Sequence, residues 1–279
     1  GNSLKTRYIA ESVSNGAKLI LNQHGGKAGH HKINFTDKYE TEISDNYISW
    51  GWKNKKNKKI KNYGIIKNIS KISRNPEKKI INDKILFLML QKGRFTSYFD
   101  FEINSKCLYS YYSEMCPGFY NNLNKNLKNK LIYRISKNRN SWNELDYIKK
   151  KCIKAKLSYQ KDEYFKLIKK SKITVCSYLA TTFLELMAAN VPVLLFVPFP
   201  QKIYNNETLK NFKIMKKNNI FFDNYKSTAK FINENWDGID NWWLSKSVQE
   251  ARFYFLKSFS KDSKNLVNKI ENLINKSAA

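Results

Sequence analysis

Short apolar runs alternate along the chain with longer stretches in which apolar residues recur every three or four positions. Runs at 17–21, 47–52, 85–90, 131–135, 173–176, 193–197 and 220–222 have strand length. The stretches at 4–13, 110–127, from 143, 182–189 and 207–217 have helical spacing. Strands separated by helices of this length predict an α/β fold, a parallel sheet with helices on both faces. Residues 54–83 break the pattern: they are rich in Lys and Asn, contain Pro76, and read as a connector. The predicted organisation is the end of an N-terminal α/β lobe over 1–53, a basic connector over 54–83, a Rossmann-like lobe over 84–226 and a helical tail over 227–279. Trp236, Trp242 and Trp243 are expected to anchor that tail in apolar contacts.

Length and composition exclude a disordered chain: 279 residues, 42% of them hydrophobic and 14% aromatic, provide for a sizeable core. The formal charge of +28 raises two partner classes, nucleic acid and anionic membrane surfaces. Lysines are spread along nearly the whole chain, however, and no RNA-binding aromatic signature or zinc-finger spacing accompanies them, so nucleic acid is not expected. The densest run, over 53–61, reads as a solvated loop, with an anionic-lipid patch as the sharper alternative. No apolar run reaches the ~18 residues a membrane span needs. Cys107, Cys116, Cys152 and Cys176 form no CxxC pair, and His24, His30 and His31 lack HExxH spacing, so no metal is expected. Dispersed single cysteines fit a reducing cytoplasm.

Two segments carry candidate chemistry. The first, Gln23-His-Gly-Gly-Lys-Ala-Gly29, follows a strand-like run and places a titratable ring in a glycine-rich turn. His24 is expected at the carboxyl end of its strand, where open α/β sheets bind ligands. Gly25, Gly26 and Gly29 are expected to leave N–H groups bare for an anion such as a phosphate or sugar carboxylate. The same turn also reads as a glycine-rich connector with an incidental histidine.

The second runs from Val175 through Ser177, Thr181-Thr-Phe-Leu-Glu185 and Asn190-Val-Pro192 to an apolar strand. Thr181 and Thr182 are each suited to cap a helix N-terminus, where free N–H groups and the positive dipole end favour phosphate. Glu185, one turn inside, is in reach of a ribose diol bound over that terminus. A capped helix with Glu in its first turn also occurs with no ligand.

Strand, Ser/Thr-rich turn, helix, Pro turn and strand in this order resemble the nucleotide-binding lobe of GT-B glycosyltransferases. Gln23-His-Gly-Gly26, Glu42, Asp45, Ser49-Trp-Gly-Trp52, Arg134, Thr181-Thr-Phe-Leu-Glu185, Trp242-Trp243 and Val248-Gln-Glu-Ala-Arg252 extend the likeness over nearly the whole chain. Together they resemble a bacterial surface-polysaccharide transferase family related to the β-Kdo transferases. The resemblance implies a CMP-activated 3-deoxy sugar acid as donor, with a lipid-linked or oligosaccharide acceptor. It also implies work in the cytoplasm, peripheral to an anionic inner-membrane surface, with no cofactor beyond the nucleotide-sugar substrate.

Carried over residue by residue, the resemblance makes His24 the catalytic candidate, donating a hydrogen bond or proton to the departing phosphate. Gln23, Gly25, Gly26, Gly29, Arg134, Ser177, Thr181, Thr182 and Glu185 become candidate substrate and nucleotide contacts. Arg134 suits bidentate binding of phosphate or carboxylate, and reads equally as a surface arginine. The chain departs from the family pattern in having a short N-terminal lobe, which makes it read as a fragment. Glu40, Glu42 and Asp45 are the acidic residues near the histidine loop, and they read as loop charges or helix caps. Two alternatives stay open: a CDP-alcohol phosphotransferase of the teichoic-acid type, and a basic RNA-binding α/β protein.

Overall fold

The computed structural model describes residues 3–66, 72, 83–90, 105–135, 143–158, 164–261 and 265–278. Nine strands occur among them, in two sheets that are parallel throughout. The smaller sheet contains β1 (Ile20–Asn22), β2 (Asn46–Ser49) and β3 (Ile60–Asn62), in that order. β3 lies inside the stretch read as a connector, where its three residues pair with β2 at the end of the lysine run. Half of that stretch, Pro76 included, falls outside the described residues.

The larger sheet is built from β4 (Lys84–Leu88), β5 (Leu131–Arg134), β6 (Lys156–Ser158), β7 (Ser171–Cys176), β8 (Val193–Phe196) and β9 (Phe221–Phe222). Its order is β6-β5-β4-β7-β8-β9. The chain starts at β4 in the middle, steps outward to β6, then returns to the other flank of β4. That reversal puts a crevice at the carboxyl ends of β4 and β7, where doubly wound sheets bind ligands. β4, β7 and β8 are apolar almost continuously because helices cover both of their faces: Ile85, Phe87, Val175, Val193 and Phe196 are all fully buried.

Several elements differ from the sequence reading. The helix expected over 110–127 is broken into Ser105–Ser110, a π-helical turn at Tyr111–Met115, Cys116–Asn122 and Lys125–Lys128. The extra residue of the wide turn accompanies full burial of Tyr111 and Tyr112, whose hydroxyls reach the end of β4. β6 and the helix Tyr164–Lys170 are too short and too lysine-rich to stand out as periodic segments.

The tail folds as four helices, Tyr225–Asn235, Ile239–Leu244, Lys246–Phe259 and Leu266–Ala278. Trp243 is buried, and its indole N–H donates to Oδ1 of Asn190 at 2.9 Å. Asn190 has a φ of 55°, a left-handed turn that ends the helix Thr181–Ala188 before Pro192 and β8. Arg252 donates from Nε to the Met187 carbonyl at 2.6 Å and from Nη2 to that of Ala188 at 3.1 Å. A cation therefore satisfies the orphan carbonyls at the carboxyl end of this helix, and burial lowers the Arg252 pKa to about 10. Among the described residues no helix is long and apolar enough to cross a membrane, and the four cysteines are free.

Candidate functional site

The two motifs meet. The N–H of Gly26 donates to Oγ1 of Thr181 at 2.8 Å, across a sequence separation of 155 residues. A Cβ added to Gly26 would lie 2.3 Å from the Thr181 nitrogen and 2.5 Å from the Ala180 carbonyl carbon. Only glycine allows the histidine loop to lie this close against the start of the helix Thr181–Ala188. The contact lies beside the crevice at the ends of β4 and β7.

This contact corrects the expected cap. The N-cap is Ala180, in extended conformation and with no side-chain hydrogen bond, so Thr181 and Thr182 occupy the first two helical positions. The Thr181 hydroxyl is spent on the facing loop. The Gly26 and Gly29 N–H groups are not bare either, since Gly29 donates to Oδ2 of Asp37 at 2.8 Å. Gly29 has a φ of +77° and lies flat against the Trp52 ring, with room for no side chain.

Gln23 is buried, and its amide holds the loop in shape. Its Oε1 accepts from the Trp50 N–H and from Nε1 of Trp52, both at 2.9 Å, while Nε2 donates to the Gly25 carbonyl at 2.8 Å. This explains Gln and the Trp-Gly-Trp motif together: one side chain clamps β1's exit to β2's exit. Ser177 is likewise internal. It donates to the Leu88 carbonyl at 2.7 Å, accepts from the Leu90 N–H at 3.0 Å and shares a hydrogen bond with the Tyr111 hydroxyl. It ties β4 to β7 at the crevice and offers its hydroxyl to the protein, not to the surface.

His24 stands out from this packed loop with its side chain 73% exposed, and its Nδ1 lies 3.4 Å from Oε1 of Glu40. Glu40 projects from the helix Phe35–Ile43, which Asn34 caps by accepting from the Asp37 N–H at 3.2 Å. Asp37, one turn earlier, feels both Glu40 and His24. Burial is the main reason its pKa rises to about 6, against the opposing pull of the Gly29 N–H. Tyr47 is buried beside these carboxylates, and burial followed by their charge drives its phenol pKa upward. The sequence reading took Glu40 for a loop charge and passed over Asp37. Their i and i+3 spacing on a capped helix was the available signal.

The crevice side holds a second group. Arg134 ends β5, donates from Nη1 to Ser158 Oγ at 2.9 Å, and its guanidinium carbon lies 5.9 Å from the centre of the Tyr164 ring. The Tyr164 hydroxyl reaches Oε2 of Glu185 at 3.4 Å. Burial is the leading cause that raises the Tyr164 pKa, opposed by a hydrogen bond with Thr182. Tyr164 thus links Arg134, Thr182 and Glu185, three of the predicted contacts. Nothing in a lone aromatic of a lysine-rich segment marked it beforehand.

Residues 2–274 match the model of the LIC12162 family transferase. The chain belongs to this transferase family. Among solved structures, TarM superposes with a TM-score of 0.51 at 14% identity, covering 93% of this chain and 50% of TarM. A variant of the wall teichoic acid polymerase TagF gives 0.49 at 14% identity, covering 94% of this chain and 66% of TagF. At such identity the TarM likeness speaks for the fold, a GT-B-like α/β arrangement. The transferase chain spans about half the length of TarM. No curated protein matches it.

Proposed function

We propose that this transferase is a GT-B-type glycosyltransferase acting in bacterial surface-glycan synthesis. In this reading the donor nucleotide lies between the Gln23–Gly29 loop and the Thr181–Glu185 turn. The observation that carries the reading is the 2.8 Å contact between Gly26 and Thr181, which joins the histidine loop to the helix start at the crevice. An exposed imidazole backed by a carboxylate next to that junction suits proton donation to a departing phosphate. Glu40 then holds Nδ1, leaving Nε2 as the atom that exchanges a proton with the substrate. Arg134 and the positive end of the helix Thr181–Ala188 neutralise phosphate, and Glu185 accepts from the ribose.

The donor is a CMP-linked sugar acid such as Kdo, and the acceptor is a lipid-linked or oligosaccharide chain. This finer assignment rests on the sequence resemblance. The charge of +28 supports action at the anionic inner face of the membrane. Calorimetric titration with CMP, UMP and GMP tests the donor: CMP is expected to bind selectively, and Glu185→Ala to weaken it. Equal affinity for all three nucleotides would sink the CMP assignment.

A further inference from the structure

A cavity of about 860 Å³ lies beside the Gly29 end of the histidine loop. It falls within the roughly 300–1,000 Å³ typical of small-molecule sites. Lys32, Lys53, Lys55 and Lys257 line it, brought together from the loop after Gly29, the lysine run and the long tail helix. None of these four ammonium groups has a carboxylate partner among the described residues. Three acids share the wall and keep their charge: Asp37 accepts from Gly29, Glu207 from Ser258 at 2.8 Å, and Glu42 lies 3.9 Å from Lys38; with Lys38 counted, lysines outnumber them five to three. Positive charge on concave, low-dielectric walls focuses the field into the cavity. Trp52 and Tyr254, both half-buried, add ring surface with a polar edge.

We propose that this cavity binds an anionic glycan, a chain of sugars bearing carboxylate or phosphate groups. Rings present apolar faces to the sugar C–H groups while the lysines meet the acid groups. A flat lipid surface meets these exposed lysines but cannot fill the concave wall between them, and single-stranded nucleic acid is bound along extended grooves with successive stacking platforms. Asp37 belongs to the cavity wall and also feels the charge of His24, so the cavity adjoins the transfer centre. Naming the bound chain as the acceptor rests on the glycosyltransferase reading above; the binding does not. The lysine run thereby becomes part of a binding wall.

The test is fluorescence anisotropy with labelled oligogalacturonate, a polycarboxylate glycan, against neutral dextran oligosaccharide of equal length. Oligogalacturonate is expected to bind in a salt-dependent manner and dextran to bind far more weakly. The K53Q/K55Q/K257Q variant should lose roughly tenfold in affinity, while the K53R/K55R/K257R variant keeps it. These side chains are exposed, so their replacement is expected to leave the chain folded, and circular dichroism checks this. Unchanged affinity in the Gln variant overturns the inference. So does tighter binding of oligouridylate or of phosphatidylglycerol vesicles than of oligogalacturonate, lost in the same variant. A protein that binds oligogalacturonate through these lysines yet ignores CMP overturns the donor reading and leaves the cavity assignment standing.

Discussion

Glu40 stands 3.4 Å from Nδ1 of His24, its carboxylate 21% exposed while the imidazole is 73% exposed. A half-buried carboxylate behind an exposed ring orients that ring and fixes which nitrogen meets the substrate. Glu40→Gln should lower kcat and leave KM nearly unchanged, with Glu40→Asp recovering part of the loss. The decrease should be smaller than the roughly 10²–10⁴-fold expected for His24→Ala, since orientation is lost but the acid is kept. Steady-state kinetics with a CMP-activated sugar acid measures both. An unchanged kcat in Glu40→Gln would remove Glu40 from the mechanism.

The Gly26–Thr181 contact predicts a split between two substitutions. Thr181→Val keeps the shape but leaves the buried Gly26 N–H without its acceptor, at a cost of about 1–3 kcal/mol. Thr181→Ser keeps the hydroxyl and should be close to wild type. Urea denaturation ranks the two, and equal midpoints would show that the hydrogen bond contributes nothing.

His30 predicts acid sensitivity. It is fully buried, its ring 4.0 Å from that of Phe259, and burial, followed by the neighbouring His31, lowers its pKa to about 3. The unfolded chain takes up a proton near pH 6.5 while the folded one resists until about pH 3, so stability falls as pH drops through that window. Asp37, raised to about 6, acts in the opposite sense: its folded form holds the proton longer, so stability falls as pH rises from about 4 to 6. His30→Phe should flatten the acid limb, and Asp37→Asn the opposing one. Urea midpoints measured from pH 4 to 8 in the three proteins check the two slopes.

Metal independence is the fourth expectation. No group of three His, Cys, Asp or Glu side chains among the described residues is placed to hold an ion. On the proposed reading, phosphate charge is expected to fall to Arg134, the helix start and nearby lysines. Nucleotide binding in EDTA should equal that in magnesium, and a loss restored by magnesium or manganese would refute it.

The sequence by itself determined the parallel α/β fold and the location of both motifs. Apolar runs such as Ile85–Leu90 are long enough to fix a doubly covered strand, and glycines beside His24 mark a turn whatever the partner. It also marked the Trp242-Trp243 pair as apolar anchors of the tail, and Arg252 without what it does. Only the tertiary structure decided the rest, because it depends on groups far apart in sequence. Thr181 looked like a cap; its hydroxyl turned instead to a glycine 155 residues away, which no local pattern encodes. Ser177 and Gln23 looked like ligand contacts, but their polar atoms are consumed in holding strand ends together. Glu40 looked like a loop charge until helix and loop packing set it behind His24. Periodicity records which face of a segment is buried; which polar groups meet across the core is settled by packing alone.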